Sequence, residues 1–261
     1  MTPQHSVRIV GPGRAGGALA LALNEVGWNV LTPIRRGQPL LDAAEHVDLV
    51  LIATPDAAIG EVAAAMRPVA STVVAHLSGA QGVEVLSMHP HRAAFHPLTS
   101  MPTAESGAIR LRNGAWFAVD ANTDLGMAMV ETIATQLGGR SFIVHDEQRV
   151  AYHAAAAIAS NHVVALLSSA ERIARSVDIP IEAYLELVRA TIDNFEDHGS
   201  AGALTGPVAR GDWETVERHR AAIDPSELAL YDALVEAAQR VVESQPRSSD
   251  SGHKSDQGSQ H

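Results

Sequence analysis

The 261-residue sequence contains no cysteine. That excludes both a disulfide framework and a thiolate metal site. Basic residues are also few: 19 Lys and Arg stand against 30 Asp and Glu, a net charge of −11. So acidic a chain is not expected to bind nucleic acid. The longest apolar stretches are alanine-rich and interrupted by His, Asn or Ser, so none reads as a membrane span. Residues 1–6 are polar and lack the pattern of a secretory leader. These absences lead us to expect a soluble, cytoplasmic protein without a membrane partner. What is present is a 46% hydrophobic chain, enough to bury a sizeable core in one large or two modest domains.

The sharpest pattern stands at the start. Val7-Arg8-Ile9-Val10 is a short β-rich apolar run, and Gly11-Pro12-Gly13-Arg14-Ala15-Gly16 follows it directly, leading into Ala18-Leu19-Ala20-Leu21-Ala22-Leu23. The order is strand, tight turn, helix. Gly11 permits the sharp turn, Gly13 removes the Cβ that would block a pyrophosphate, and Gly16 lets the helix pack closely on the strand. The N–H groups at the helix start are then free for phosphates. A lone G-x-G-x-x-G is weak evidence, but between a strand and a helix it predicts a dinucleotide site.

The next apolar run, about residues 28–32, ends in Pro33-Ile34-Arg35-Arg36. An NAD site places an Asp or Glu about 20 residues past the glycines, bonded to the ribose 2′-OH. Here that position has no acid and two arginines follow. Guanidinium groups make forked, charge-assisted bonds to a 2′-phosphate. The expected cofactor is therefore NADP, with Arg14 inside the turn as a further contact. Thr54 and Pro55, where the next strand turns into a helix, complete the expected cofactor set.

Residues 48–53, 72–77, 94–96, 116–119 and 141–144 read as strands, with helices at 56–67 and 123–137 between them. This alternation predicts an α/β fold, a Rossmann-like, doubly wound, mostly parallel sheet. After Val144 the pattern becomes helical. One long helix is expected over 146–177, a second over 181–194, a glycine-studded loop over 199–211, a helix from Asp212, and a last one opened by Asp224-Pro225-Ser226-Glu227. The expected organisation is thus a dinucleotide-binding domain over 1–145 and an all-α substrate and dimerisation domain over 146–245. Residues 246–261, Ser, Gly, Gln and charge, are expected to be a disordered, functionally silent tail.

Candidate chemistry lies at strand ends and on one helix face. Ser78 follows a sheet strand, where ligands of open α/β sheets sit, and reads either as a substrate contact or as a simple turn. His96 ends another short strand and reads as a proton-handling group or as a core histidine. His89, His91 and His96 have no acidic partner at ligand spacing, so no metal site is expected. His153, Ala157 and Asn161 fall at i, i+4 and i+8, on one helix face. Histidine can give a proton near neutral pH and an Asn amide can bond a carbonyl oxygen. The other reading of that face is a packed interface helix with two satisfied polar groups. Arg210 and Asp212 read as a possible carboxylate partner beside an N-cap, or as loop structure alone.

Together these segments resemble a bacterial family that joins a Rossmann-like domain to an α-helical domain of unknown function, DUF2520. The family is related to F420-dependent NADP oxidoreductases, pyrroline-5-carboxylate reductases and β-hydroxyacid dehydrogenases. The resemblance covers nearly the whole chain to about residue 243. It rests on Gly11-Pro12-Gly13-Arg14-Ala15-Gly16, His76-Leu77-Ser78-Gly79, Phe95-His96-Pro97-Leu98, Tyr152-His153-Ala154 through Asn161, and Leu204-Thr205-Gly206-Pro207 through Asp212. Some members look like ketopantoate reductases of pantothenate biosynthesis, which implies an NADPH-dependent reductase of a small branched 2-oxo acid. The β-hydroxyacid dehydrogenases carry a lysine four residues before the helix asparagine, and here that position is Ala157. The resulting expectation is a homodimeric NADP oxidoreductase in which Ser78 and Asn161 hold the substrate and His153, or secondly His96, donates the proton. The rivals are an imine reductase of the pyrroline-5-carboxylate type and a non-catalytic dinucleotide-binding sensor.

Overall fold

The structure, a computed structural model, describes residues 5–244. The tail expected over 246–261 lies outside the described residues. In the first half the strands are β1 (Ser6–Val10), β2 (Asn29–Val30), β3 (Leu49–Ile52), β4 (Val73–His76), β5 (His91–Pro97), β6 (Trp116–Ala121) and β7 (Arg140–Ile143). The helices between them are α1 (Arg14–Glu25), α2 (Ile59–Ala64), α3 (Ala104–Leu111) and α4 (Asp124–Gln136). The seven strands form one sheet in the order β2-β1-β3-β4-β5-β6-β7. Every neighbouring pair is parallel except β5 and β6, which run antiparallel. This is the doubly wound, mostly parallel sheet expected.

Strand alternation shows why the sheet is covered on both faces. Leu49 and Leu51 of β3 join Ile9, Ala75 and Phe95 in one apolar cluster with Leu19 and Leu23 of α1 and Ile133 of α4. Val50 and Ile52 join Val10 and Val74 in a second cluster with Ile59 of α2 and Leu86. A strand apolar at every position is thus divided between two cores, as buried parallel strands require.

α3 was not anticipated. Thr103 caps it by accepting the Ser106 N–H, and its inner face is Gly107, Ala108 and Leu111. A Cβ on Gly107 would come 2.7 Å from that of Ala18 in α1. Close helix contact through small residues leaves little hydrophobic signal in a sequence.

The long helix expected over 146–177 is present as one helical run, Asp146–Arg175, that changes pitch along its length. A 3₁₀ turn (Asp146–Gln148) leads into α5 (Arg149–Ala157), a π-helical turn (Ile158–His162) and α6 (Val163–Arg175). α7 (Ile181–Ala203) runs past the expected end, with Gly199 taking a positive φ of 66° inside it. The expected loop over 199–211 is accordingly shorter and holds a single helical turn, α8 (Pro207–Arg210), flanked by Gly206 and Gly211 in positive-φ conformations. α9 (Trp213–Ala222) is capped by Asp212, which accepts the Thr215 N–H. α10 (Leu228–Glu243) follows a 3₁₀ turn capped by Asp224.

Two compact units divide between Val163 and Val164, whereas the change from alternating to helical elements falls near residue 145. Residues 146–163 therefore belong to the sheet unit by their contacts. In the second unit, Glu227 accepts from Ser169 Oγ at 2.5 Å and from Arg172 Nε and Nη2 at 2.5 and 3.0 Å. The Arg172 contact holds this carboxyl well below the usual range, at about 2.

Among the described residues, one helical run, Asp146–Arg175, is long and apolar enough to cross a membrane by length and composition, its apolar 18-residue window having a mean hydropathy of 1.4. The sequence reading expected no such segment. Its alanines and valines raise the average more than His153 and Asn161 lower it.

Candidate active site

The glycine turn has the geometry its spacing implies. Gly11 has φ +89°, and a Cβ there would press on the Ala53 carbonyl at 2.9 Å. A Cβ on Gly16 would meet the Gly11 oxygen at 2.4 Å and Ile9 Cγ2 at 3.0 Å, so only glycine lets α1 lie this close to β1. Gly13 is different, because among the described residues nothing lies within 4 Å of where its Cβ would be. The space glycine leaves there is open, at the N-terminus of α1, whose first N–H groups have no partner within the helix. Beside it, Thr54 Oγ1 is buried and has no hydrogen-bond partner among the described residues. An open cradle at a helix N-terminus and an unpartnered hydroxyl fit a phosphate-bearing dinucleotide.

Three adjoining cavities form one cleft within the sheet unit. The first is lined by Gly11, Gly13, Arg35, Arg36, Thr54 and Pro55 among others, with a volume of about 820 Å³. The second shares Gly13, Thr54 and Pro55 with it and adds Arg14, Thr99, Ser100, Ser160 and Asn161. The third, about 350 Å³, shares Thr99, Ser100, Ser160 and Asn161 and ends at His96 and His153. Arg14, Arg35 and Arg36 are exposed. The cleft thus runs from the two arginines, across the glycine turn, to a pair of histidines.

At that end the strand and the helix meet. His96 closes β5, and His153, Ala157 and Asn161 of α5 and the π turn share the cavity wall, as their spacing implied. The His96 and His153 rings stand edge to face, 5.8 Å apart between centroids. Gly79, after β4, lies beneath them: a Cβ on it would come within 2.5 Å of His153 Nδ1 and 3.0 Å of His96 Nε2. Its glycine identity therefore leaves room for the histidines. Burial, then the neighbouring His153, pushes His96 down to about 4, which disfavours its charged form. His96 Nδ1 lies 2.6 Å from the Tyr152 hydroxyl.

Ser78 is placed differently from the expectation. Its Oγ donates to Asp56 Oδ2 at 2.6 Å and accepts from the Ala80 and Gln81 N–H groups at 3.1 and 3.0 Å. That hydroxyl is buried and spent on turning the chain after β4, and it does not line the cleft. His76, fully buried, accepts the Ser78 N–H at Nδ1 and donates from Nε2 to the Gly82 carbonyl. Burial pushes it down to about 4. Asp56, Tyr152 and Arg149 were not singled out from the sequence. Tyr152 stood inside a quoted motif, but its partner is on β5. Arg149 is a buried arginine whose nearest carboxylate oxygen, Asp146 Oδ1, is 3.7 Å from Nε. Among the described residues, no group of three or more His, Asp or Glu could hold a metal ion. The single lysine of the sequence, Lys254, lies outside the described residues.

The fold and cleft define a dinucleotide-binding architecture of Rossmann type. Family comparison is specific: residues 32–102 match the Rossmann-like domain, and residues 115–238 match DUF2520, a domain of unknown function. The chain therefore joins a Rossmann-like domain to a DUF2520 domain, the family its motifs resembled. No curated protein matches the sequence. Among solved structures, protein TM1727 from Thermotoga maritima is similar at 27% identity with a TM-score of 0.68, covering 91% of this chain and 98% of that one. A reductive aminase from Aspergillus terreus, solved with NADPH and ethyl levulinate, is 17% identical with a TM-score of 0.66, covering 91% and 94%. A pyrroline carboxylate reductase from Plasmodium falciparum with NADP bound is 12% identical with a TM-score of 0.60, covering 91% and 98%. At such identities the last two speak for the fold alone.

Proposed function

We propose that this protein is an NADP-dependent oxidoreductase that reduces the carbonyl carbon of a small 2-oxo acid such as ketopantoate. The observation that carries the reading is the continuity of the cleft from Arg35 and Arg36, over Gly13, to His96 and His153. NADPH, when bound, supplies the hydride. Arg35 and Arg36 hold the 2′-phosphate, the α1 N-terminus and Thr54 hold the pyrophosphate, and Asn161 bonds the substrate oxygen where the cavities join. His153 donates the proton to that oxygen as charge develops on it. Among the described residues the lining at this end contains no Lys, Arg, Asp or Glu, so a substrate carboxylate is held by the Thr99 and Ser100 hydroxyls.

An imine substrate is the second reading. The observation that favours it is the scarcity of proton donors: Ala157 stands in the lysine position and His96 is uncharged. An iminium arrives already protonated and asks less of the site. NADPH oxidation assayed with ketopantoate, with pyrroline-5-carboxylate, and with a ketone plus an amine separates the readings. Turnover of ketopantoate supports the first and turnover of either imine source the second. Binding of NADPH with turnover of none indicates a sensor.

The cofactor assignment has its own test. NADPH is expected to bind at least about tenfold more tightly than NADH, roughly 1.4 kcal/mol. Replacing Arg35 and Arg36 together with alanine should erase that gap in a fluorescence titration. Equal affinities in the unmodified protein would sink the assignment.

The reading includes a soluble homodimer. Val150, Ile158 and Val164 are 72%, 60% and 67% exposed in a single chain, and a second copy would cover them. Sedimentation should give a dimer in aqueous buffer; a monomer there, or recovery in the membrane fraction, overturns this part.

A further inference from the structure

The two ring nitrogens of His96 have different surroundings. Nε2 faces the space above Gly79, where His153 Nδ1 also points. Nδ1 meets the Tyr152 hydroxyl at 2.6 Å. The Tyr152 ring is wedged edge-on between His96, 5.5 Å away, and Phe142 of β7, 5.8 Å away. The hydroxyl is thereby aimed by packing on both sides, and the proposed function leaves it without a task.

The protonated nitrogen of a neutral imidazole is selected by the hydrogen bond the other nitrogen makes. A phenol is a better donor than acceptor, because its oxygen lone pair is delocalised into the ring. Burial pushes the Tyr152 hydroxyl up to about 12, so it keeps its proton throughout the working range. The charged and titratable groups around His96 are His153 and Arg149 on α5, Asp56 before α2 and His76 on β4. Three of these four act against an imidazolium.

We propose that Tyr152 is a positioning residue, whose hydroxyl donates to His96 Nδ1 and so fixes His96 as the neutral Nε2–H tautomer, a hydrogen-bond donor to the substrate oxygen. This rests on the reductase reading for its purpose, and on geometry alone for the tautomer. His96 and His153 then divide the work. His96 Nε2–H polarises the carbonyl without giving up its proton, and His153 supplies the proton. A fixed donor aimed at the oxygen on which charge develops is the arrangement that lowers such barriers most.

The test separates the tautomer from the activity. Nitrogen-15 NMR of the histidine rings in the unliganded protein should show His96 with a protonated Nε2 and a bare Nδ1. Tyr152→Phe keeps the ring wedge and removes only the hydroxyl, so the His96 signals should shift toward the Nδ1–H tautomer or a mixture. A wild-type His96 protonated at Nδ1 overturns the proposal, and so does an unchanged tautomer in Tyr152→Phe. Neither result depends on the substrate, so a protein that reduces nothing would refute the reductase reading and leave the tautomer result standing by itself. With a substrate in hand, Tyr152→Phe should lower kcat about ten- to a hundredfold while KM and NADPH affinity barely move. His96→Gln keeps an N–H donor that cannot titrate, and should retain more turnover than His96→Ala. If the glutamine variant is as inactive as alanine, His96 acts as an acid or base and the assigned role fails.

Discussion

Replacing His153 with alanine is expected to lower turnover at least about a hundredfold while leaving NADPH affinity intact. General acid–base groups typically contribute that much. In the proposed function His153 donates the proton, and burial disfavours the charged form of its neighbour His96. The side chain is exposed and its ring contact is with His96, so the fold loses little, and alanine suits a helix. The proposed cofactor contacts at Gly13, Thr54, Arg35 and Arg36 lie elsewhere in the cleft, away from His153. Asn161→Ala should behave differently, weakening substrate binding and transition-state stabilisation together. Steady-state kinetics, NADPH titration and thermal melting on the two variants decide the matter. If both lose thermal stability and keep their specific activity, these residues are packed polar groups, and the chemistry must be sought nearer His96.

The dinucleotide half of this site was legible because each glycine answers a separate steric demand. Gly11 needs its positive φ, Gly16 has no room for a Cβ, and Gly13 faces open space. Those demands leave a fixed spacing in the sequence. β3 and β4 were legible for a similar reason, since strands buried on both faces become unbroken apolar runs. The end proposed as catalytic was half legible. A helix face at i, i+4 and i+8 showed His153 and Asn161, and a strand end showed His96. Ser78 was misread because nothing near it in sequence reveals that Asp56 takes its hydroxyl. Tyr152 was passed over because its role depends on a residue 56 positions away. The π turn at Ile158–His162 left no signal either, since alanine-rich helix gives no sign of an inserted residue. Such turns often sit at functional sites, and this one carries Ser160 and Asn161 to the place where two cavities join.

Arg149 was the least legible residue, because an arginine at the start of a helix reads as solvated. It is 0% exposed, and none of its three side-chain nitrogens has a hydrogen-bond partner among the described residues. Burial weakens its hold on its proton, while Asp120 and Asp146 act in the opposite sense. Arg149→Ala should therefore lower the unfolding free energy by about 2–5 kcal/mol, chiefly through the cavity that the lost side chain leaves. Loss of the charge that Asp120 and Asp146 face is the other contribution. Arg149→Met separates the two contributions. A methionine of similar length fills the space, and an apolar replacement for a buried ion often costs little. The expected order under denaturant is wild type close to Arg149→Met, with Arg149→Ala far below both. If the methionine variant is as unstable as alanine, the charge itself holds the fold. If both variants are stable but inactive, the guanidinium acts through the electrostatics of His96 and His76, both of which it disfavours as cations. Arg149 would then belong with Tyr152 among the groups that keep His96 a neutral donor.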